Sequence, residues 1–282
     1  MPNPIADPLV ETVDSDADSP LAHIEATRAG AATVRINRPQ RRNPLESLTI
    51  AALHDAFETL RGAEGVRIVF IRGAGGHFSG EVGAEDVRLW GDLNEDDHRQ
   101  DALAVARMLK TLSEIPALTV ALVEGDAFGA GAGMAAACDM ALAVADARFG
   151  FSAVRLGLPP ALITPYVVEA VGARAARALL TLGRPFDAAH AQAIGLVHEV
   201  VADAAALEAS KDRLAEDILA CAPGALAETK EIIRRAAGRP IDHDLIEDLA
   251  HRRARAMVGD EAREGAAALL EGRPPSWTSI SG

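Results

Sequence analysis

Residues 121–147 read ALVEGDAFGAGAGMAAACDMALAVADA, and the fold turns on this stretch. It begins inside an apolar, partly β-branched run, Leu118 to Val123, of the kind that buries as a strand. Gly125 breaks the run, and Gly129, Ala130, Gly131, Ala132 and Gly133 open a series of small residues that ends in Cys138, Asp139 and Met140. A helix beginning near Gly129 has first amide groups without intrahelical acceptors, at the positive end of the helix dipole. Such an end suits an oxygen that gains negative charge during a reaction, such as a carbonyl becoming an enolate. Close helix packing accounts for the glycines equally well when the turn is considered alone.

Working outward toward the N-terminus, Ala22 to Thr27 and Ala32 to Asn37 are strand-like runs separated by Gly30, as in a hairpin. A basic turn follows, Arg38-Pro39-Gln40-Arg41-Arg42-Asn43-Pro44-Leu45. Leu48, Leu53, Phe57 and Leu60 give a helical stripe over Ser47 to Arg61, and Ile68 to Ile71 reads as a buried strand ended by Gly73, Gly75 and Gly76. The next loop, His77 to Asp86, is long and polar for a connection, which marks it as a candidate functional loop. Leu103, Ala106, Leu109 and Leu112 mark another helix before Pro116. Beyond the central turn, Ala141 to Val144 and Phe149 to Ser152 read as extended. Thr164 to Val171, Ala173 to Leu182 and Ala188 to Ile194 read as helices, and Val197 to Val201 as a last strand. After Asp203 the pattern is helical, with breaks near Pro223, Pro240 and Gly259. Alternating strands and helices give an α/β chain.

Composition narrows the function classes. A chain of 282 residues can bury a substantial core. Its formal net charge of -13 argues against a nucleic-acid backbone as main partner, although a local basic patch can still hold a phosphorylated cofactor. Cys138 and Cys221 are the only cysteines, so neither a disulfide framework nor a cysteine zinc site is supported, and no metal is expected. No apolar run reaches membrane-spanning length, and the N-terminus lacks the pattern of a secretion signal, so a cytoplasmic enzyme is expected. Residues 1–20, rich in Pro, Asp, Glu and Ser, read as a mobile acidic extension. Two other classes fall away. Gly131 to Ala136 fits G-x-G-x-x-A, but its strand lies mid-chain and no acidic residue ends a following strand at the distance a dinucleotide site requires. A serine hydrolase elbow, G-x-S-x-G, is missing.

Several motifs in order resemble the enoyl-CoA hydratase/isomerase (crotonase) family. They are Val34 to Pro39 with Arg42-Asn43-Pro44-Leu45, Gly76-His77-Phe78-Ser79-Gly80, Val123-Glu124-Gly125 with the Gly129 to Gly133 turn, and Cys138-Asp139. The likeness continues through Arg148 to Phe151, Arg155 to Leu158, Gly183 to Ala188 and Gly195-Leu196-Val197, and covers residues 22–275. Phe149 to Val171 and the ending Glu271 to Trp277 look most like the methylglutaconyl-CoA hydratase-like branch. The resemblance implies a crotonase-like ββα spiral core over residues 21–202, with a C-terminal helical trimerisation region over 203–282. It implies a homotrimer or hexamer acting on an acyl-CoA, with no cofactor beyond the coenzyme A of the substrate. By position the two oxyanion amides would be those of Gly80 and Ala130, and Arg41 and Arg42 are the candidates for the coenzyme A phosphates.

Where hydratases of this family typically carry two acid/base glutamates, this chain has Gly133 and Ala153. Neither can move a proton, and general acid/base assistance is typically worth about 100- to 10,000-fold. Ala153 is either natural divergence or a substitution that traps a substrate complex. Glu81 is the candidate substitute, with Glu85 and Asp86 in the same loop. Asp126 reads as a turn cap, the His77 side chain as pointing away, Tyr166 as a packed aromatic near the pocket, and Leu89 and Trp90 as acyl-pocket or lid residues. Decarboxylation, hydrolysis relying on the oxyanion amides, and acyl-CoA binding without turnover stand as alternatives to hydration.

Overall fold

The computed structural model describes residues 20–278 except 29, 82, 84–86 and 89; the acidic extension thus lies almost wholly outside the described residues. The hairpin forms as β1 (Ala22–Arg28) and β2 (Ala31–Ile36), and from β2 onward the main sheet is parallel. It continues with β3 (Ile68–Gly73), β4 (Leu118–Val123), β6 (Met140–Val144) and β9 (Glu199–Val201), in the order β1-β2-β3-β4-β6-β9. A second sheet joins β5 (Asp126–Phe128), β7 (Arg148–Gly150) and β8 (Phe186–Asp187). The main sheet adds each new strand on the same side of the last, so it has no point where the strand order reverses. A dinucleotide site requires that reversal, and the G-x-G-x-x-A reading fails on topology as well as spacing.

Successive crossovers advancing one way and sharing the usual right hand lay their helices side by side. Accordingly α1 (Ser47–Arg61) packs on α2 (Glu95–Ser113), while α3 (Ala130–Ala137) packs on α4 (Thr164–Leu182). After α5 (Ala188–Ala193), α6 (Ala204–Leu219) lies against β3, β4, β6 and β9. The last helices are α7 (Pro223–Ala236), α8 (His243–Met257) and α9 (Asp260–Glu271), with breaks where Pro223, Pro240 and Gly259 predict them. Val34, Ile36, Ile68, Ile71, Val120 and Leu122 are fully buried, the near-continuous apolar pattern of parallel strands covered on both faces.

Local differences from the sequence reading have physical causes. Leu48 is 72% exposed, because the buried face of α1 runs through Thr49, Ile50, Leu53, Ala56, Phe57 and Leu60. Helix α2 starts eight residues before its apolar stripe, at a capping box in which the Asn94 side chain accepts from the Asp97 amide and Asp97 accepts in return. The extended piece at Phe149 stops at Gly150, and Ser152–Leu156 is a 3-10 turn. Gly172, at φ 72°, breaks α4 between the two predicted helical stretches. Among the described residues no helix is long and apolar enough to cross a membrane.

Candidate active site

Three segments meet at the N-terminal end of α3, and their backbone bonds explain why. Ser79 forms a parallel bridge with Ala127: its N–H donates to the Asp126 carbonyl at 2.8 Å, and its own carbonyl accepts from Phe128 at 2.9 Å. The first loop therefore enters beside β5. On the other side of β5 runs β7, and the Gly129 N–H donates to the Gly150 carbonyl at 2.9 Å. Gly150 passes close under Phe128, where a Cβ would sit 2.5 Å from the ring. The chains that leave this junction carry Gly80-Glu81, Ala130 and Ala153.

Gly129 caps α3 at φ 53°, ψ −121°, a conformation that strains any residue with a side chain. Nothing lies within 4 Å of where its Cβ would be, so the space over the helix end is open. Ala130, the first residue of the helix, has no intrahelical acceptor for its N–H. Gly131 lets the helix touch the first loop: a Cβ there would lie 2.4 Å from the Ser79 Cβ.

Gly80 does not offer the second amide. Its N–H donates to the Arg42 carbonyl at 2.6 Å, whereas the next N–H, that of Glu81, has no hydrogen-bond partner among the described residues. The physical reason is the alternation of an extended backbone. Ser79 bonds to β5 and Gly80 to the basic turn. The sequence motif located the loop; only the hydrogen bonds reveal which amide is already occupied.

The two positions without acid/base glutamates differ. Gly133 is buried under Ile163, where a Cβ would lie 2.2 Å from the Ile163 Cγ2. Ala153 lies half-buried in the 3-10 turn beyond β7, with its carbonyl accepting from Leu158 at 3.0 Å. Glu81 is exposed at the loop, while Val82, Glu85, Asp86 and Leu89 lie outside the described residues. Trp90 is half-buried, and its carbonyl is 3.1 Å from His98 Nε2.

The two candidate phosphate ligands of the basic turn have carboxylate partners: Arg41 pairs with Glu46 at 2.5 Å, and Arg42 with Asp126 at 3.2 Å. Among the described residues the Asp126 side chain caps no turn; it faces Arg42, and the Asp126 N–H donates to His77 Nδ1 at 3.3 Å. Tyr166 is not near this junction. It lines a cavity of about 890 Å³ at the opposite end of α3, together with Cys138, Asp139, His198 and Lys230. Burial raises its phenol above the ordinary value, and burial, reinforced by Asp139, likewise raises the Cys138 thiol. No cluster of metal-ligating side chains occurs among the described residues.

Residues 26–280 match the family model of enoyl-CoA hydratase/isomerase. The chain belongs to the enoyl-CoA hydratase/isomerase family. A Thermus thermophilus protein, provisionally named as an enoyl-CoA hydratase, is 34% identical over 255 residues, 90% of this chain and 100% of that protein. The bovine enoyl-CoA hydratase domain-containing protein 2 is 33% identical over 260 residues, 88% of this chain and 84% of its own. Among solved structures, Pseudomonas aeruginosa AtuE is similar with a TM-score of 0.87 and 34% identity, over 92% of this chain and 100% of that one. These matches span the enoyl-CoA hydratase/isomerase fold from the hairpin through the C-terminal helices.

Proposed function

We propose that this protein is an acyl-CoA enzyme of the enoyl-CoA hydratase type whose oxyanion donors are the backbone N–H groups of Glu81 and Ala130. The observation that carries the reading is the Ser79–Ala127 bridge, from which both chains emerge at one end, two and three residues before these N–H groups. A thioester oxygen between them would receive two hydrogen bonds as water adds to C3 of a 2-enoyl-CoA and charge moves onto that oxygen. One such donor is worth roughly 3–4 kcal/mol in the transition state. The Glu81 carboxylate is the group on this loop that would carry the proton to C2, and the coenzyme A phosphates would draw Arg41 and Arg42 from Glu46 and Asp126. The acyl group we propose is branched or carboxylated, from the likeness of residues 149–171 and 271–277 to the methylglutaconyl-CoA hydratase-like branch. The homotrimer or hexamer we propose is supported by Leu269 and Leu270 of α9, 82% and 87% exposed.

A second reading has its own observation. Ile163 fills the space beside Gly133, and Ala153 ends in a methyl group, so hydrocarbon stands at both glutamate positions. Decarboxylation of a 2-carboxyacyl-CoA needs enolate stabilisation more than a base and would run in such a site. Turnover assays of the protein with crotonyl-CoA, 3-methylglutaconyl-CoA and a 2-carboxyacyl-CoA separate the readings. We expect hydration of an enoyl-CoA, reduced in the Glu81→Gln variant. Carbon dioxide release without hydration would replace the first reading by the second.

A further inference from the structure

Asn43 is the most completely engaged polar side chain near the junction. It is fully buried, its Oδ1 accepts from the Arg38 N–H at 2.7 Å, and its Nδ2 donates to the carbonyls of Ala74 at 2.8 Å and His77 at 2.6 Å. Its own N–H donates to the Arg38 carbonyl at 2.9 Å, which closes the basic turn on itself. Arg42 and Asn43 are also the only non-glycine residues with positive φ among those described, at 61° and 56°. Two consecutive left-handed residues are a sparsely populated arrangement that persists only when the surroundings hold it.

The carbonyl of Arg42, the first of this pair, accepts the Gly80 N–H at 2.6 Å. Consecutive residues of the turn thus grip the first loop at two points, His77 through the Asn43 side chain and Gly80 through the Arg42 backbone. The grip needs Gly73, where a Cβ would lie 1.9 Å from the His77 carbonyl oxygen and 2.6 Å from Asn43 Nδ2. It ends one residue before Glu81. A buried amide that served only to fill space would bond to the elements that enclose it. This one bonds across to the segment that carries the proposed donor.

We propose that Asn43 is a positioning residue: by clamping the His77 carbonyl and holding Arg42 in its left-handed conformation, it aims the Glu81 N–H at the thioester oxygen. The inference rests on the oxyanion reading above. Substitution Asn43→Gly separates side chain from backbone, since glycine adopts the left-handed conformation freely and removes only the three side-chain hydrogen bonds. Asn43→Asp keeps the shape and the acceptor toward Arg38 but sets a carboxylate oxygen against the Ala74 and His77 carbonyls.

The test is infrared difference spectroscopy of crotonyl-CoA labelled with carbon-13 at the thioester carbonyl, bound to the protein and to each variant, alongside calorimetric titration with free coenzyme A and thermal unfolding. In the unsubstituted protein the carbonyl stretch shifts to lower frequency on binding. In Asn43→Gly most of that shift disappears while coenzyme A affinity stays within about twofold, a change of roughly 0.4 kcal/mol. A full shift in a folded Asn43→Gly would overturn the positioning role and leave the oxyanion reading standing. No shift in the unsubstituted protein would overturn the oxyanion reading and this inference with it. If Asn43→Gly fails to fold, the isosteric Asn43→Asp decides by the same criterion.

Discussion

The two ends of α3 are built on opposite plans. Eight residues, about 12 Å of helix, separate them. At the N-terminal end the space over Gly129 is open, the first helical N–H, that of Ala130, lacks an intrahelical acceptor, glycine, alanine and isoleucine stand at 133, 153 and 163, and the Ser79 hydroxyl is buried without a partner among the described residues. At the C-terminal end the polar groups are mutually satisfied. Asp139 Oδ2 accepts from the Thr119 N–H and hydroxyl, each at 2.8 Å, and from Lys230 Nζ at 2.6 Å. The Thr119 hydroxyl accepts in turn from the Asp139 N–H at 2.9 Å. Unsatisfied donors in an open site are what a ligand oxygen can use, whereas a closed network of partners holds chain segments together. The contrast supports placing the proposed chemistry at the barer end and a structural role at the end that carries the cavity with its tyrosine, cysteine and lysine.

The largest effect is expected from carboxylates placed at the N-terminal end. Ala153→Glu should raise hydration of crotonyl-CoA by about 100-fold or more, the ordinary worth of general acid/base assistance. Gly133→Glu should raise nothing and should lower the unfolding temperature by several degrees. Its Cβ alone would overlap Ile163, and overpacking of this kind costs about 1–3 kcal/mol. Steady-state kinetics and thermal unfolding of the two variants check both halves. Equal gains from both would mean that Ile163 yields readily and that the two positions are not distinct after all.

This contrast was only partly legible in the sequence. Apolar runs and glycines placed the strands and helices closely because parallel strands here are buried on both faces and helices end at Gly, Pro or small-residue breaks, as at Gly172 and Pro223. That glycine and alanine stand at positions 133 and 153 is read from the sequence directly. What the sequence did not contain was occupancy. Gly80 sits where the motif puts a donor, yet its N–H is taken by the carbonyl of Arg42, a residue 38 positions away whose left-handed backbone no residue preference announces. Tyr166 was misplaced for a related reason: a helix that starts near a pocket in sequence can point its first turn at the other end of a neighbouring helix. Asn43 was visible as part of a basic turn, and a polar residue between an arginine and a proline gives no sign of complete burial.

A smaller effect is expected at the C-terminal end. Lys230→Ala removes the ammonium that joins α7 to Asp139 and to the Ala117 carbonyl. Hydrogen bonds to charged groups contribute about 1.5–3 kcal/mol, so thermal unfolding should fall by several degrees. Turnover at saturating substrate should stay within about twofold, because no reacting atom depends on this pair. A tenfold or greater loss of turnover in a folded Lys230→Ala protein would mean that the two ends of α3 are coupled, and the division of labour would have to be abandoned.

The smallest effect tests the residue that most invites a chemical role. Tyr166 is the only tyrosine of the chain, and its hydroxyl lies beside Ser113 at the cavity. Burial raises the phenol above its ordinary value of 10.0, so it stays protonated and neutral throughout the neutral range. Its ionisation is moved to the alkaline side, so a fall in activity near neutral pH has to come from another group. Tyr166→Phe removes one neutral hydrogen bond, worth about 0.5–1.5 kcal/mol, and keeps the ring in place. The expected outcome is an unfolding temperature lower by a few degrees at most, with an unchanged pH profile of turnover. A loss of the alkaline limb in Tyr166→Phe would show the phenol titrating within the working range of the site, which its burial on the far side of α3 opposes; the chemistry would then have to reach through the helix, and the barer end could no longer be treated as sufficient in itself.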